Sequence, residues 1–386
     1  MNAGPSETQP ELRGTTGEVA RLALKLGFTA FGGPAAHIAM LHEEVVTRRK
    51  WLGEQRFLDL LGATNLIPGP NSTEMVIHVG FIRAGYPGLL AAGLGFILPA
   101  AAIVLALAWL YVQYGTTPTG EWLLYGIKPV IIAVVLQALW GLGRKALKGP
   151  LLAAAGVAVF VGYLAGLNEL LLLFGVGLLV AVIRTGRGRW AGGRMAALVI
   201  PWLAVAPPAG AASLSQLFLV FLKVGGLLYG SGYVLLAFLH NDLVINLGWL
   251  TDQQLLDAVA VGQFTPGPVF TTATFIGYVV AGWPGAVVAT VGIFLPSFLF
   301  VAALSPLIPR MRRSAGLAAL LDGVNAAALG LMAAVTWQLG RAALVDWLTV
   351  LLALLAAGLL LRFKINSAWL VLAGGLAGLV ARLLAG

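Results

Sequence analysis

The sequence predicts an all-α polytopic membrane protein built from two inverted-topology repeats with re-entrant or broken helices. Three observations lead to this fold class. The 386-residue chain is 59% hydrophobic and only 10% charged, which leaves too few charges to cover the surface of a soluble domain. Its apolar residues form about thirteen segments of the length of membrane helices or half-helices. The motif Pro-Gly-Pro occurs twice, at 68–70 and 266–268, each time inside such a segment.

The spacing of 198 residues between the two Pro-Gly-Pro motifs is the period of an internal duplication. At that spacing, 16 of the 49 positions from Lys25 to Thr73 are identical in the second half, against roughly one in ten expected from composition. After the loss of one residue, the register continues to Gly143, which matches Gly340. The duplication predicts a cytoplasmic N-terminal tail (1–17), a first repeat (18–185), a linking transmembrane segment (186–213) and a second, inverted repeat (214–386).

Each repeat contains six apolar segments and one further segment joins them, so the second repeat is expected to enter the membrane upside down. Cytoplasmic loops are enriched in Lys and Arg. The basic loop at 48–56 lies on that side only if segments 1 and 2 fold back as re-entrant hairpins, and its counterpart at 241–252 has no Lys or Arg. We therefore predict four re-entrant hairpins and nine full spans. The segments are 19–42, 57–82, 86–113, 122–142, 149–164, 168–184, 195–209, 214–240, 253–281, 284–308, 315–340, 344–361 and 367–383.

Each Pro-Gly-Pro motif is expected to stop one helix and start another inside the bilayer, because proline removes a donor and glycine permits a sharp turn. The first N–H groups of the new half-helix are then unpaired, which favours an anion. A second break, at 32–34 and 230–232, would bring four such starts together near the midplane. The alternative is that these are packing glycines and kinks. The candidate substrate-binding residues at the breaks are Gly32, Gly33, Pro68, Gly69, Pro70, Asn71, Ser72, Thr73, Gly230, Ser231, Gly232, Pro266, Gly267, Pro268, Thr271 and Thr272.

Three charged side chains inside apolar segments add to these candidates. Lys25 and Lys223 occupy equivalent positions in the two repeats. Intramembrane lysines usually mark a pathway or a counter-charge, although each could instead extend to the nearer interface. Glu74 stands at the start of a half-helix, where it would carry a coupling proton or cap the helix N-terminus. Weaker signals, for which structural roles are expected, come from His37, His42, His78 and His240.

The sequence offers no catalytic, metal-binding or cofactor motif. It has no cysteine, which excludes disulfides and thiolate metal sites. It also lacks His-Glu-x-x-His, a Walker loop and a nucleophile elbow, so we expect no enzyme activity, no metal and no cofactor. The net charge of +9 lies in short loops, where it indicates topology and attraction for anions rather than nucleic acid. The expected partners are an oxyanion and the lipid bilayer, and a homodimer is left open.

Long motifs surround the breaks. They are FGGP at 31–34, PGPNSTE at 68–74, FILP at 96–99, FTPGPVFTTATFIGY at 264–278 and FLPSF at 294–298. In these motifs the chain resembles a full-length member of the chromate ion transporter family. The resemblance implies chromate export across the bacterial inner membrane, driven by the proton-motive force, and chromate resistance.

Two alternatives to chromate export stay open. Sulfate has the same shape and charge as chromate, and some family members carry Glu-Ala-Thr-Gln where this chain has Asn-Ser-Thr-Glu at 71–74. A carrier for sulfate or another oxyanion therefore remains an alternative. An anion channel is the other, because re-entrant hairpins also occur in channels.

Overall fold

The computed structural model describes residues 14–186, 212–229, 234–304, 314–363 and 365–385, which form fourteen α-helices and no strand. The predicted all-α fold is therefore confirmed for these residues, and most of the predicted linking segment lies outside them. The first-repeat helices are α1 (Thr16–Thr29), α2 (Gly33–His42), α3 (Glu54–Thr64), α4 (Asn71–Tyr114), α5 (Pro118–Ala146), α6 (Pro150–Leu164) and α7 (Glu169–Thr185). The second-repeat helices are α8 (Leu214–Leu227), α9 (Leu235–Leu239), α10 (Asp252–Phe264), α11 (Thr272–Leu304), α12 (Ala315–Ala343), α13 (Trp347–Phe363) and α14 (Ser367–Ala385).

Short irregular turns extend three of these helices, and two of the turns lie at equivalent places in the repeats. A π-helical turn follows α2 (Glu43–Arg48) and another follows α9 (His240–Asn246), while a 3-10 turn (Val269–Thr271) leads into α11. Within the described residues, α4, α5, α11, α12 and α14 are long and apolar enough to cross a bilayer by themselves. The chain is thus a multi-pass membrane protein. The exact number of thirteen segments and nine spans stays a prediction.

Helices α4 and α11 are sharply bent at matching positions. The backbone leaves the helical region at Ala84 and Gly85 in α4, and at Ala281 and Gly282 in α11, with nearly identical angles. The φ values of the two glycines, 62° and 63°, are ones that other residues rarely adopt. In α11, Oγ1 of Thr274 lies 2.7 Å from Oγ1 of a threonine sixteen residues later, whereas sixteen residues of straight helix would span roughly 24 Å. Each long helix is therefore a tight helical hairpin with two arms.

The first repeat begins with two hairpins whose arms are too short to cross the membrane. Helix α1 has 14 residues, or roughly 21 Å, against roughly 30 Å of hydrocarbon core. Lys25 of α1 bonds to Glu44 beyond α2 (2.6 Å), so these arms lie side by side. Arg83, at the end of the first arm of α4, bonds to Glu18 (3.0 Å) and lies 4.8 Å from the ring centre of Trp51. Both hairpins start and end at one level, as the predicted fold-back requires, and their re-entrant placement in the membrane stays a prediction.

The two repeats interlock through reciprocal helix contacts. Helix α5 packs on α13 and α14 of the second repeat, and α12 packs on α6 and α7 of the first. Glycines permit the closest approaches: a Cβ on Gly126 of α5 would fall on the carbonyl oxygen of Gly374 in α14, and Gly177 and Gly323 make the equivalent contact between α7 and α12. Small residues let membrane helices approach in this way. The contacts have the pattern of a two-fold relation between the repeats.

Candidate functional site

Each Pro-Gly-Pro apex is bonded to the first break of the other repeat. The N–H of Gly69 donates to the carbonyl of Leu228 (2.8 Å), and the N–H of Gly267 donates to the carbonyl of Ala30 (2.9 Å). Leu228 and Ala30 end α8 and α1 and are equivalent residues of the two repeats. Both Pro-Gly-Pro motifs are buried. The fold thus brings together breaks that lie about two hundred residues apart in the sequence.

The first apex leads directly into α4, which starts without a side-chain cap. The amide of Asn71 donates to the amide oxygen of Asn65 (2.7 Å), and the Ser72 hydroxyl lies 3.3 Å from Nδ1 of His37. The Thr73 hydroxyl has no hydrogen-bond partner among the described residues. Because the first N–H groups of a helix have no partner within it, this start can offer backbone donors and a hydroxyl to an anion.

Helix α2 is the other half-helix start that the sequence pattern predicted. Gly32 precedes it with a φ of 99°, and Pro34 stands in its first turn. No side chain caps this helix either, so its first N–H groups are available as donors. The counterpart of this start, at Gly230, Ser231 and Gly232, lies outside the described residues.

Glu74 is fully buried in the first turn of α4, and neither of its carboxyl oxygens has a hydrogen-bond partner among the described residues. It therefore does not cap the helix N-terminus, which was one of its two predicted roles. A Cβ on Gly69 would fall on Oε1 of Glu74 and lie 3.0 Å from Oγ of Ser297. Only glycine leaves room for both polar groups beside the first apex, and the Ser297 hydroxyl is likewise buried without a partner.

The second apex has the same backbone but a different lining. A Cβ on Gly267 would lie 2.6 Å from the methyl group of Ala100, the repeat equivalent of Ser297. Thr272 stands where the first repeat has Glu74, and its hydroxyl donates to the carbonyl of Val269 (2.8 Å). The hydroxyl of Thr271 donates in the same way to its own turn (2.8 Å). The hydroxyl protons at this apex are therefore already used locally.

Sequence reasoning missed two residues beside the first apex, Ser297 and His78. His78 lies one helical turn after Glu74, is buried, and has no hydrogen-bond partner for either ring nitrogen among the described residues. The histidine has no histidine counterpart in the second repeat, where the apolar pair Phe275 and Ile276 stands at this level, and for that reason it received little weight. A polar residue in one repeat opposite an apolar one in the other was in fact the signal that could have found both.

The two candidate lysines each form an ion pair with a carboxylate that is not part of a Pro-Gly-Pro apex. Lys25 lies 2.6 Å from Glu44, and Arg48 and Arg49 also contact that carboxylate. Lys223 lies 2.7 Å from Asp242, which is the repeat equivalent of Glu44. Each pair ties a first hairpin together by bridging its two arms. A role for these lysines toward a substrate stays a prediction.

Comparison with known proteins places the chain in a family. The family model described as "Chromate transporter" matches residues 17–182 and 215–379. The chain belongs to the chromate transporter family. The chromate transport protein of Cupriavidus metallidurans is 34% identical over 98% of this chain and 96% of its own length. The chromate transport protein of Pseudomonas aeruginosa is 35% identical (92% and 90%), and the probable chromate transport protein of Synechococcus elongatus is 33% identical (86% and 86%).

Membership of the chromate transporter family confirms the resemblance drawn from the motifs around the breaks. It assigns the chain to transporters rather than to a class of enzymes, with matches in both repeats. No solved structure matches the chain.

Proposed function

We propose that this chain is a secondary transporter that exports chromate across the bacterial inner membrane by alternating access. The observation that carries the proposal is the reciprocal pair of hydrogen bonds that joins each Pro-Gly-Pro apex to the first break of the other repeat. Broken helices at the interface of two repeats are where secondary transporters hold their substrates. The family and the names of the relatives support chromate as the substrate.

The proposed binding site consists mainly of backbone donors and hydroxyls. The uncapped starts of α2 and α4 carry the positive ends of helix dipoles, and a tetrahedral oxyanion needs several donors to replace its water. Glu74 is the coupling candidate. The proposed substrate-binding residues are Lys25, Gly32, Gly33, Pro68, Gly69, Pro70, Asn71, Ser72, Thr73, Lys223, Gly230, Ser231, Gly232, Pro266, Gly267, Pro268, Thr271 and Thr272.

The charge of chromate supports export as the direction of transport. Moving one charge across a potential of 100 mV changes its free energy by about 2.3 kcal/mol. The free energy of a dianion therefore falls by about 4.6 kcal/mol per 100 mV when it leaves a cell with a negative interior. Import would raise its free energy by the same amount. The electrical part of the proton-motive force can thus drive export, and a lower cytoplasmic chromate concentration would confer resistance.

Alternating access requires one group of helices to move against another. The interlocked helices α5–α7 and α12–α14 pack on each other across the repeats. The hairpins of α1–α4 and α8–α11 carry the breaks and pack together through α4 and α11. We propose that these hairpins shift against the interlocked helices and open the apices first to one side and then to the other.

Reconstitution of the purified full-length chain into liposomes tests the proposal. Chromate flux is measured under an imposed membrane potential and an imposed pH gradient, with protein-free liposomes as background. The proposal predicts saturable flux that follows the potential. Stronger flux of sulfate than of chromate would favour the sulfate carrier, and a large electrical conductance would favour a channel. The absence of any chromate flux would overturn the proposed function.

A further inference from the structure

Four buried polar residues lie at the first apex or on the arm of α4 that follows it. Each of them is 0% exposed, and each has a side-chain oxygen or nitrogen without a hydrogen-bond partner among the described residues. Native proteins pair most of their buried polar atoms. The Glu74 carboxyl group and the Ser297 hydroxyl both face Gly69, and two further such residues lie on the same arm of α4 as Glu74, so this region indicates a site for a polar ligand. The four residues are Thr73, Glu74, His78 and Ser297.

Glu74 is poorly placed to be ionised in this closed arrangement, in which it is 0% exposed; water that enters an open, empty site would hydrate the carboxylate and let the proton leave. No Lys or Arg of the described residues forms a salt bridge with it, and no donor bonds to its oxygens. A buried carboxylate without such partners is strongly disfavoured relative to the neutral acid. An oxyanion beside it would disfavour the carboxylate further, because like charges repel. The neutral carboxyl group, in contrast, has one O–H to donate.

We propose that Glu74 binds one proton together with the oxyanion, and that its neutral carboxyl group and the Ser297 hydroxyl both donate hydrogen bonds to that anion. This inference rests on the proposed function. Binding of the two ligands is then reciprocal: the proton raises the affinity for the anion, and the anion raises the affinity for the proton by the same factor. The second apex, with a threonine and an alanine at these positions, has no such proton site.

The proposal fixes the charge that moves in each cycle. One proton and one dianion bind on one side of the membrane, and both leave on the other, so a net charge of −1 crosses. A potential that is negative inside still drives export of this charge. A pH gradient that is acidic outside opposes the export, because the proton travels in the same direction as the anion. The carrier would be a proton–oxyanion symporter and not an antiporter.

Another titratable group could hold the proton instead. His78 is the strongest competitor, because it lies one turn from Glu74 and its ring nitrogens have no hydrogen-bond partner within the described ranges. Tyr229, at the end of α8, is within electrostatic reach of Glu74. The other charged or titratable groups on the elements packed against α4 are Glu18, Arg21 and Lys25 of α1, His37 and His42 of α2, Glu54, Arg56 and Asp59 of α3, Asp252 and Asp257 of α10 and Tyr278 of α11.

Chromate binding by the purified full-length protein across the pH range tests the proposal. The dissociation constant is measured from about pH 6 to about pH 8.5 for the wild type and for Glu74→Gln, whose amide is neutral at every pH. Chromate itself takes up a proton near neutral pH, so the informative quantity is the ratio of the two constants. The wild type should weaken relative to Glu74→Gln by about tenfold per pH unit on the alkaline side. The control Glu121→Gln, an exposed carboxyl group on α5, should follow the wild type.

Proton uptake provides a second measurement that does not depend on affinity. Chromate is added to weakly buffered protein with a pH indicator, and chromate alone gives the blank. The wild type should take up about one proton per bound anion above neutral pH, whereas Glu74→Gln and Glu74→Thr should take up none beyond the blank. Uptake that survives in Glu74→Gln but is lost in His78→Gln would overturn the assignment to Glu74.

The two proposals fail in different ways. If the wild type binds chromate and its affinity has the same pH dependence as that of Glu74→Gln, the inference about Glu74 is wrong while the proposed function stands. If the wild type binds no chromate at any pH, the proposed function is overturned and this inference falls with it.

Discussion

The two Pro-Gly-Pro apices share their backbone and differ in their side chains. Each apex donates one backbone N–H to the break at the end of the other repeat's first helix. At the first apex, Glu74 and Ser297 are buried without partners in the part of the chain that the structure describes, whereas at the second, Thr272 is bonded to its own turn and Ala100 has only a methyl group. Duplication has kept the scaffold, and divergence has left one apex with groups for a polar ligand. The buried polar atoms without a partner among the described residues are thus concentrated at one apex, to which the first repeat contributes Glu74 and the second repeat contributes Ser297.

The largest expected difference between the repeats is in the stability lost when the lysine of each ion pair is replaced. Lys223→Met should destabilise the protein by about 3–5 kcal/mol, because it leaves the buried Asp242 without its cation. Lys25→Met should cost about 1 kcal/mol or less, since Lys25 is 46% exposed and Glu44 keeps two arginines. Thermal unfolding in detergent, followed by tryptophan fluorescence, measures both. The double variant Lys223→Met/Asp242→Asn should recover part of the loss. Equal losses for the two lysines would show that the pairs are energetically equivalent.

The apex glycines separate stability from transport. Gly267→Ala should destabilise the protein by about 1–3 kcal/mol, because its φ is 84° and left-handed backbone strains other residues. The new methyl group would also press on Ala100, and Ala100→Gly in the same chain should relieve part of the effect. Gly69→Ala should be strained as well, because its φ is 136°, and its methyl group should press on the side chains of Glu74 and Ser297. It should therefore lose more chromate flux in liposomes than its loss of stability explains. If Gly267→Ala loses chromate flux at unchanged stability and Gly69→Ala does not, the proposed difference between the apices is wrong.

The Ser297 hydroxyl at the first apex should contribute to chromate affinity, whereas a hydroxyl added at the equivalent position of the second apex should not. Ser297→Ala removes one donor and should weaken chromate binding by about 1 kcal/mol, or roughly fivefold. The matched variant Ala100→Ser puts the same hydroxyl at the second apex and should leave the affinity close to that of the wild type. Chromate titration of both purified variants checks this. A gain in affinity for Ala100→Ser would mean that both apices bind the anion.

The smallest expected effect concerns a helix cap that only the second repeat has. Asp346 precedes α13, exchanges hydrogen bonds with Thr349 and accepts one from Tyr125 (2.6 Å). Its repeat equivalent is Gly149, which caps α6 with no side chain. Asp346→Ala should therefore lower the free energy of unfolding by about 1 kcal/mol. Gly149 has a φ of 115°, which other residues rarely adopt, so a side chain at this position would not restore the matching cap.

The cap should also be sensitive to acid. The hydrogen bond from Tyr125 holds the pKa of Asp346 below its ordinary value. Its contribution is therefore complete at neutral pH and is lost as the pH falls below about 4. Melting temperatures of the wild type and Asp346→Ala should converge under acid conditions, and a constant difference between pH 7 and acid would rule out the ionised cap.

Much of the fold could be predicted because it follows from local chemistry. Proline and glycine at equivalent positions required breaks, and the basic loop after α2 required a chain that folds back. The segment boundary between 82 and 86 also anticipated the bend at Ala84 and Gly85. These features depend on backbone donors, on allowed φ values and on where charges sit relative to the bilayer. All of them are readable within a few residues.

Long-range pairing could not be predicted in the same way. Glu44 and Asp242 are duplicated carboxylates nineteen residues after the lysines, but only the hairpin geometry shows that they pair. Ser297 is more than two hundred residues from Gly69 and reaches it only because α4 and α11 pack together. The site therefore depends on the interface between the repeats, which a one-dimensional pattern does not encode.

The glycine crossings between α5 and α14 and between α7 and α12 have a consequence for synthesis. The principal neighbours of α5 are α12, α13 and α14, and the last of these helices ends at residue 385. A ribosome that adds about 5–20 residues per second needs roughly 10–50 s to travel from α5 to the end of the chain. During that time α5 lies in the membrane without these neighbours. Until the second repeat has been synthesised, the glycine faces of α5 and α7 therefore contact groups other than their final partners, and the close crossings form only after both repeats are in place.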